Sequence, residues 1–167
     1  MKNLHALCAL ALGLGLSAVG AHATVIPGRW IINGAEVKDA ATGLIWRRCA
    51  EGQELVGNDC LGEAWTFSPL DAQAQAMSEA DATGVAWRLP NIKELASLAE
   101  LDAMLPAIDS SVFPNTPATY FWSSTPYALS KPSVAWGFWV TNFSYGGVGQ
   151  QGHNLSYPIR LVRAGRN

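Results

Sequence analysis

The sequence predicts a single α+β domain in which strands come first, two helices follow, and strands return to the end. Three observations predict it. Helix caps backed by apolar residues at helical spacing occur only between Ser68 and about Pro106. On either side stand short runs rich in Val, Ile, Trp, Tyr and Phe, broken by Gly, Asn, Asp and Pro. The 167 residues are 49% hydrophobic and only 14% charged, with 7 Trp, which supplies a core and excludes a disordered chain.

The domain is expected to follow an export signal. Met1-Lys2-Asn3 gives a short basic start, Leu4 to Val19 is an apolar run rich in Leu and Ala, and Ala21-His22-Ala23 is a small-x-small cleavage site before Thr24. The run is interrupted by His5, glycines and Ser17 and falls short of the roughly 20 apolar residues that span a bilayer. Residues 1–23 therefore read as a signal peptide and residues 24–167 as one exported, soluble domain, in the periplasm, at the cell surface or secreted. No cysteine at the cleavage site could carry a lipid, and no second hydrophobic stretch follows, so no transmembrane anchor is expected.

Arg29-Trp30-Ile31-Ile32 before Asn33-Gly34 reads as a strand and tight turn within Thr24 to Val37. Asp39 to Gly43 supplies turn residues, and Gly43 to Cys49 reads as a second strand. Glu51 to Glu63 is polar and contains Gly, so it reads as a loop. Ser68 caps a helix with Pro69 at its first position, and Gly84 stops it; Leu70, Ala74 and Met77 share one face, expected to be core. Pro90 holds Leu89 extended, so Trp87 to Pro90 is a straight link. Asn91 then caps a second helix, with Glu94 placed for a capping box and Leu95 and Leu98 as its buried face. From Asp109 the helix signals stop. Tyr120 to Ser124, Val134 to Phe143 and Ile159 to Arg163 read as strands, and the uncharged stretch Asn142 to Tyr157 as a polar connection.

Composition excludes much chemistry. A net charge of −2 without a Lys/Arg run argues against nucleic acid or an anionic membrane as partner. Beyond the signal the chain keeps one histidine, His153, and two cysteines, Cys49 and Cys60, too few for a zinc site without carboxylates, so no metal or other cofactor is expected. In an oxidising compartment Cys49 and Cys60 are expected to pair, a constraint worth roughly 2 to 3 kcal/mol in the chain-entropy picture. A reactive dithiol would want Cys-x-x-Cys spacing. His153 stands in a Gly/Gln/Asn context, and no Gly-x-Ser-x-Gly marks a serine for it to activate. Glu51, Glu54, Asp59 and Glu63 could offer a glycosidase pair but read more simply as a solvated loop face. Arg88 and Glu94 read as a structural ion pair beside a helix cap. No catalytic residue is assigned, and the chain is expected not to be an enzyme.

Recognition fits the polar stretch better. Tyr supplies contact area at low entropy cost, Ser, Asn and Gln supply hydrogen bonds that can be re-aimed, and Gly lets the backbone present them. With Tyr127, Trp136 and Trp139 as exposed anchors, the expected partner is a carbohydrate or a protein surface. The reading from another class is a structural or assembly subunit of the cell envelope, for which the same aromatics would be core.

Several blocks carry a resemblance: Asp39-x-x-Thr42-Gly43-Leu44-Ile45-Trp46, Trp87-Arg88-Leu89-Pro90-Asn91-Ile92-Lys93-Glu94-Leu95, Phe121-Trp122-Ser123-Ser124, Ala135-Trp136 and Arg160-Leu161-Val162-Arg163. Together they resemble the Lcl C-terminal domain family, named for the end domain of a collagen-like bacterial adhesin. The resemblance implies a C-type-lectin-like fold, of the variant shared with formylglycine-generating enzymes, in exported bacterial proteins. It also implies an adhesin-like role, since the adhesin domain binds sulfated glycosaminoglycans. A polyanion needs a basic patch, however, and this chain is net acidic with scattered Lys131, Arg160, Arg163 and Arg166. The cysteine pair sits in an early segment, unlike the copper-site pair of the formylglycine-generating enzymes, and no Glu-Pro-Asn or Gln-Pro-Asp triplet of calcium-dependent lectins is present, Asn58-Asp59 alone being a weak calcium site.

The tail from Phe121 to Arg163 also resembles the variable region of proteins diversified by retroelements. That likeness marks Ser144, Tyr145, Gln150, Gln151, His153, Asn154, Ser156 and Tyr157 as display positions beside Trp136 and Trp139, with Phe143, Val148 and Leu161 holding the frame.

Overall fold

The computed structural model of the protein describes residues 28–127 and 136–165. The export signal read in residues 1–23, the strand start at Val134, and the cations Lys131 and Arg166 lie outside them. The architecture is α+β: two helices with three antiparallel sheets. Strands β1 (Trp30–Asn33) and β2 (Glu36–Asp39) form a hairpin over the two-residue turn Gly34-Ala35, one residue on from the expected Asn33-Gly34. Beside it lie β3 (Leu44–Arg47) and β9 (Val162–Ala164), giving the sheet order β1-β2-β3-β9. The second sheet is the small hairpin β4 (Glu54–Val56) and β5 (Asp59–Leu61). The third runs β6 (Tyr120–Tyr127), β7 (Gly137–Asn142) and β8 (Gly147–Gly152). Among the described residues no helix is long and apolar enough to cross a membrane.

Helix α1 (Pro69–Thr83) follows its start and stop signals. Ser68 accepts the Asp71 N–H, Pro69 takes the first position, and Gly84 closes the helix in the left-handed region at φ 65°. Its buried face is not the expected one. Leu70, Ala74 and Met77 point to solvent, while Pro69, Ala72 and Ala76 are buried. Ala72 lies about 200° round the helix from Leu70, so the small side chains face inward, where they pack with Trp87 and Trp122. A hydrophobic stripe marks the inner face only when the large residues win that contact, and here bulky indoles on the other side require small partners. Helix α2 (Ile92–Ala96) is short and capped as expected: Asn91 accepts the Glu94 N–H at 2.9 Å and Glu94 accepts the Asn91 N–H at 2.8 Å. Leu95 and Leu98 are buried.

Cys49 and Cys60 are joined in a disulfide. The segment it holds is not a plain loop, because β4 and β5 pair across Val56↔Asp59 with Cys60 in β5. Gly57 at φ 63° makes that turn possible without a Cβ penalty. Two hydrophobic clusters divide the interior. One gathers Val37, Trp46, Leu95, Leu98, Phe113, Phe121 and Phe143; the other gathers Ala72, Ala76, Trp87, Leu89, Trp122, Val140, Ile159 and Leu161. Phe121 and Trp122 are chain neighbours on β6, so the strand's period of two sends them to opposite faces, one into each cluster. Each such buried aromatic is worth about 2 to 3 kcal/mol in area removed from water, and together they clamp the third sheet on both sides.

Candidate recognition surface

The stretch Asn142 to Tyr157 is half strand. β8 pairs antiparallel with β7 from Asn142↔Gly147 to Gly137↔Gly152, around a turn at Phe143 to Gly146 in which Gly146 sits at φ 79°. Alternate glycines give β8 little strand propensity of its own, and the ladder to β7 decides it. Ser144 belongs to the turn: its N–H donates to Asn142 Oδ1 at 2.8 Å and its hydroxyl to the Ala118 carbonyl at 2.7 Å. Phe143 and Leu161 are buried framework, as expected, whereas Val148 is exposed because it sits on the sheet's edge strand.

The pleat separates the expected site residues. Trp139 and Gln150 are cross-strand partners on one face, where Trp139 and Val148 line a shallow 240 Å³ groove against Ile92, Lys93 and Ala96 of α2. Phe138 and Gln151 are partners on the other face. That second face carries a chain of aromatic contacts. Tyr145 hydrogen-bonds Tyr120, which lies 5.2 Å from Tyr157; Tyr157 lies 5.1 Å from Trp122, Trp122 6.4 Å from Phe138, and Phe138 6.1 Å from Trp136. Trp136 stacks on His153 at 4.5 Å and 10°. The chain is exposed at its two ends, Tyr145 at 53% and Trp136 at 46%, and covered between them.

Local chemistry sets both ends. Gly147 has no side chain, and a Cβ there would stand 2.2 Å from Tyr145 Cε2, so the glycine is what lets the ring lie over β8. The Tyr120 hydrogen bond raises the Tyr145 phenol above its ordinary value. At the other end His153 Nδ1 lies 3.0 Å from the Trp136 carbonyl oxygen, a contact that requires the proton on Nδ1. Asn154 and Ser156 are exposed beside it in sequence, and Tyr157 is partly buried by its bridge to Phe67. Tyr127 and Trp139, both expected to be exposed anchors, are partly buried.

One feature of this surface had no sequence expectation. The loop after α2 presents Leu101, Met104 and Leu105 at 87%, 70% and 70% exposure. It packs against the β7–β8 turn: the Leu105 N–H donates to the Ser144 carbonyl at 3.0 Å, and a Cβ on Gly146 would meet Leu101 Cδ2 at 3.4 Å. Leu101, Met104 and Leu105 are thus exposed apolar side chains on one loop, and the turn they adjoin carries the exposed Tyr145. The signal was Leu101-Asp102-Ala103-Met104-Leu105, apolar residues in a segment with no helical or strand period to bury them.

The motif residues meanwhile are framework. Asp39 is buried and accepts the Ala41 N–H at 2.9 Å and Arg29 at 3.0 Å; burial alone would raise its carboxyl, but these donors hold it below the ordinary value. Gly43 at φ 73° completes that turn. Arg88 makes two 2.8 Å bonds to Glu94, which in turn completes the α2 capping box, while the Arg88 backbone bridges Val162. The family model described as the Lcl C-terminal domain matches residues 35–163. The chain belongs to the Lcl C-terminal domain family. No curated protein and no solved structure matches it.

Within this Lcl C-terminal domain the two described members of the scattered cation set, Arg160 and Arg163, are both engaged within the fold. Arg160 is fully buried, donating to Thr116 Oγ1 at 2.7 Å and to the carbonyls of Arg47 and Arg48; burial pushes its guanidinium down to about 9, so it stays cationic at neutral pH. Arg163 bonds Glu36 at 2.5 Å and lies over Trp87. The loop carboxylates also separate: Glu54, Asp59 and Glu63 are exposed, but Glu51 is buried rather than solvated, because Arg47 and Gln75 reach it from β3 and α1. Among the described residues no group of three His, Cys, Asp or Glu could hold a metal ion.

Proposed function

We propose that this protein is an exported, non-enzymatic recognition module of C-type-lectin-like fold that docks a protein surface through the β7–β8 turn end of its third sheet. The observation that supports the reading is the exposure of Leu101, Met104, Leu105 and Tyr145, each more than half exposed on two segments joined by the hydrogen bond from Leu105 to Ser144. Leaving large apolar side chains in water forgoes about 25 cal/mol per Å², and contiguous apolar patches mark interaction sites on soluble proteins. The partner's own apolar surface would cover them, with Tyr145 as the anchor and Asp102 on the rim. Diversified display, implied by the retroelement likeness, would act through Tyr145 and its neighbours on the same edge.

A carbohydrate is the second reading, favoured by Trp136 and His153, whose stacked rings sit beside Asn154 and Gln151 at the opposite end of β8. An aromatic plane with amides beside it suits a sugar's apolar face and hydroxyls. A structural or assembly role draws on the β8 edge, which carries no charge or proline to discourage pairing with another strand.

One experiment separates the three. The exported protein, a Leu101→Ser/Tyr145→Ala variant and a Trp136→Ala variant are screened in parallel against an array of envelope proteins and a glycan array including sulfated polymers, with and without calcium. Protein hits lost only in the first variant, at unchanged melting temperature, are the expected result. Glycan hits lost only in Trp136→Ala would move the function to the other end of the strand. Binding untouched by either variant would overturn both readings in favour of assembly.

A further inference from the structure

We propose that a cleft beside the disulfide-held hairpin binds an organic cation, an ammonium or guanidinium group on an aliphatic arm such as a lysine or arginine side chain presents. The cleft lies between that hairpin, the edge of β2 and β3, and the C-terminal half of α1, and its volume of about 530 Å³ is in the range of small-ligand sites. Arg47 forms its floor, donating to Glu51 at 2.9 Å and Glu79 at 2.7 Å while its guanidinium lies 5.0 Å from the centre of the Trp87 ring. Gln75 donates to the same two carboxylates, at 3.2 Å each. Two carboxylates thus share one cation. Glu36 and Glu54 also line the cleft, and Glu36 takes Arg163. Against these four carboxylates stand Arg47, Arg163 and, behind Glu51, the buried Arg160, so among the described residues the exposed Glu54 is left as the carboxylate without an ion-pair partner.

Acidic residues alone would be a solvated face. What distinguishes this place is the indole of Trp65, 57% exposed on the cleft wall. Its position is built. Gly52 sits at φ 91°, and a Cβ there would stand 2.5 Å from Trp65 Cγ and Cδ1, while the Trp65 N–H donates to the Glu51 carbonyl at 2.8 Å. Arg47 and Arg163 both lie over Trp87, and among the described residues no cation lies over Trp65. An open indole face beside a carboxylate without an ion-pair partner attracts a cation through both the ring quadrupole and charge. A neutral sugar is served less well, because the donors of Arg47 and Gln75 already bond Glu51 and Glu79 and the lining is left rich in acceptors.

The test is calorimetric titration of the exported protein with Nα-acetyl-lysine methylamide, Nα-acetyl-arginine methylamide and a lysine-containing tetrapeptide. The norleucine analogue serves as uncharged control and a neutral trisaccharide as the other ligand class. Saturable binding of the cationic probes is expected, weakened by salt and about tenfold weaker in Trp65→Ala, with a smaller loss in Glu54→Gln. Both residues are exposed, so their melting temperatures should match the parent's. A tighter tetrapeptide would point to peptide side chains as the source and equal affinities to free amines, and either supports the cation site. Equal binding of the norleucine analogue, preference for the trisaccharide, no saturation by any cationic probe, or full affinity in Trp65→Ala would each overturn it.

Discussion

Arg88 and Glu94 face each other through two parallel hydrogen bonds of 2.8 Å, and the same carboxylate closes the cap of α2 on the Asn91 N–H. The Arg88 hydrogen bond holds the Glu94 carboxyl below its ordinary value of 4.5, against a smaller opposing effect of burial. A depressed carboxyl contributes stability that is complete above the unfolded value and is lost as pH falls through the folded one. Glu94→Gln should therefore cost about 1 kcal/mol at pH 7, and the gap should shrink on acidification. Urea midpoints at pH 7 and pH 3 check this; a gap undiminished at pH 3 would assign the effect to packing rather than charge.

Glu51 has the opposite sign. Burial raises its carboxyl above 4.5, and Arg47 and Gln75 only partly oppose that while Glu79 adds to it. Ionising Glu51 in the fold is thus harder than in the unfolded chain, so its contribution to stability falls as pH rises from the unfolded value through the raised one. Glu51→Gln should gain on the parent protein as pH rises from the ordinary value of 4.5 through the raised one. A variant that instead falls further behind over that interval would show that the Arg47 bond dominates.

Arg160 is a buried staple rather than a ligand contact. Arg160→Met would leave the Arg47 and Arg48 carbonyls and the Thr116 hydroxyl without this donor in the interior, at about 1 to 3 kcal/mol for each group left unsatisfied. A loss of at least about 3 kcal/mol in denaturant unfolding is expected, and a change within experimental error would mean that other donors replace it.

Gly147→Ala acts on the exposed end of the aromatic chain. The new Cβ displaces the Tyr145 ring and its hydrogen bond with Tyr120, so the Tyr145 phenol should titrate closer to its ordinary value of 10.0. Because Tyr145 is exposed and Gly147 has no positive φ, melting temperature should barely move. Phenol titration by ultraviolet absorbance reads the first effect. An unchanged titration would show that the ring is not held there by Tyr120.

The legible parts of the fold were those with local causes. Ser68-Pro69, Asn91 with Glu94, and Gly84 marked both helices because a cap depends on a few residues of backbone geometry. The hairpin turn, within one residue, and the Cys49–Cys60 bridge were legible for the same reason. The inner face of α1 does not follow from the hydrophobicity of Leu70 and Met77, because Trp87 and Trp122, distant in sequence, leave room only for Ala72 and Ala76. Strand β8 carries no strand signal of its own, because what makes it a strand is the ladder to β7 and not its glycine-rich sequence.

By itself the sequence determined the family, the α+β class, the start of both helices, the end of α1 and the cysteine pairing, each of which rests on motifs or on contacts close along the chain; the end of α2 at Ala96 carried no such signal. Tertiary structure alone decided which side chains meet solvent. It split Trp139 and Gln150 from Trp136 and Gln151 across the pleat, joined the loop of Leu101 and Leu105 to the β7–β8 turn, buried Arg160, and brought Glu51 and Glu79 together on Arg47. Exposure and charge balance at a site are sums over segments far apart in sequence, and only the folded chain adds them.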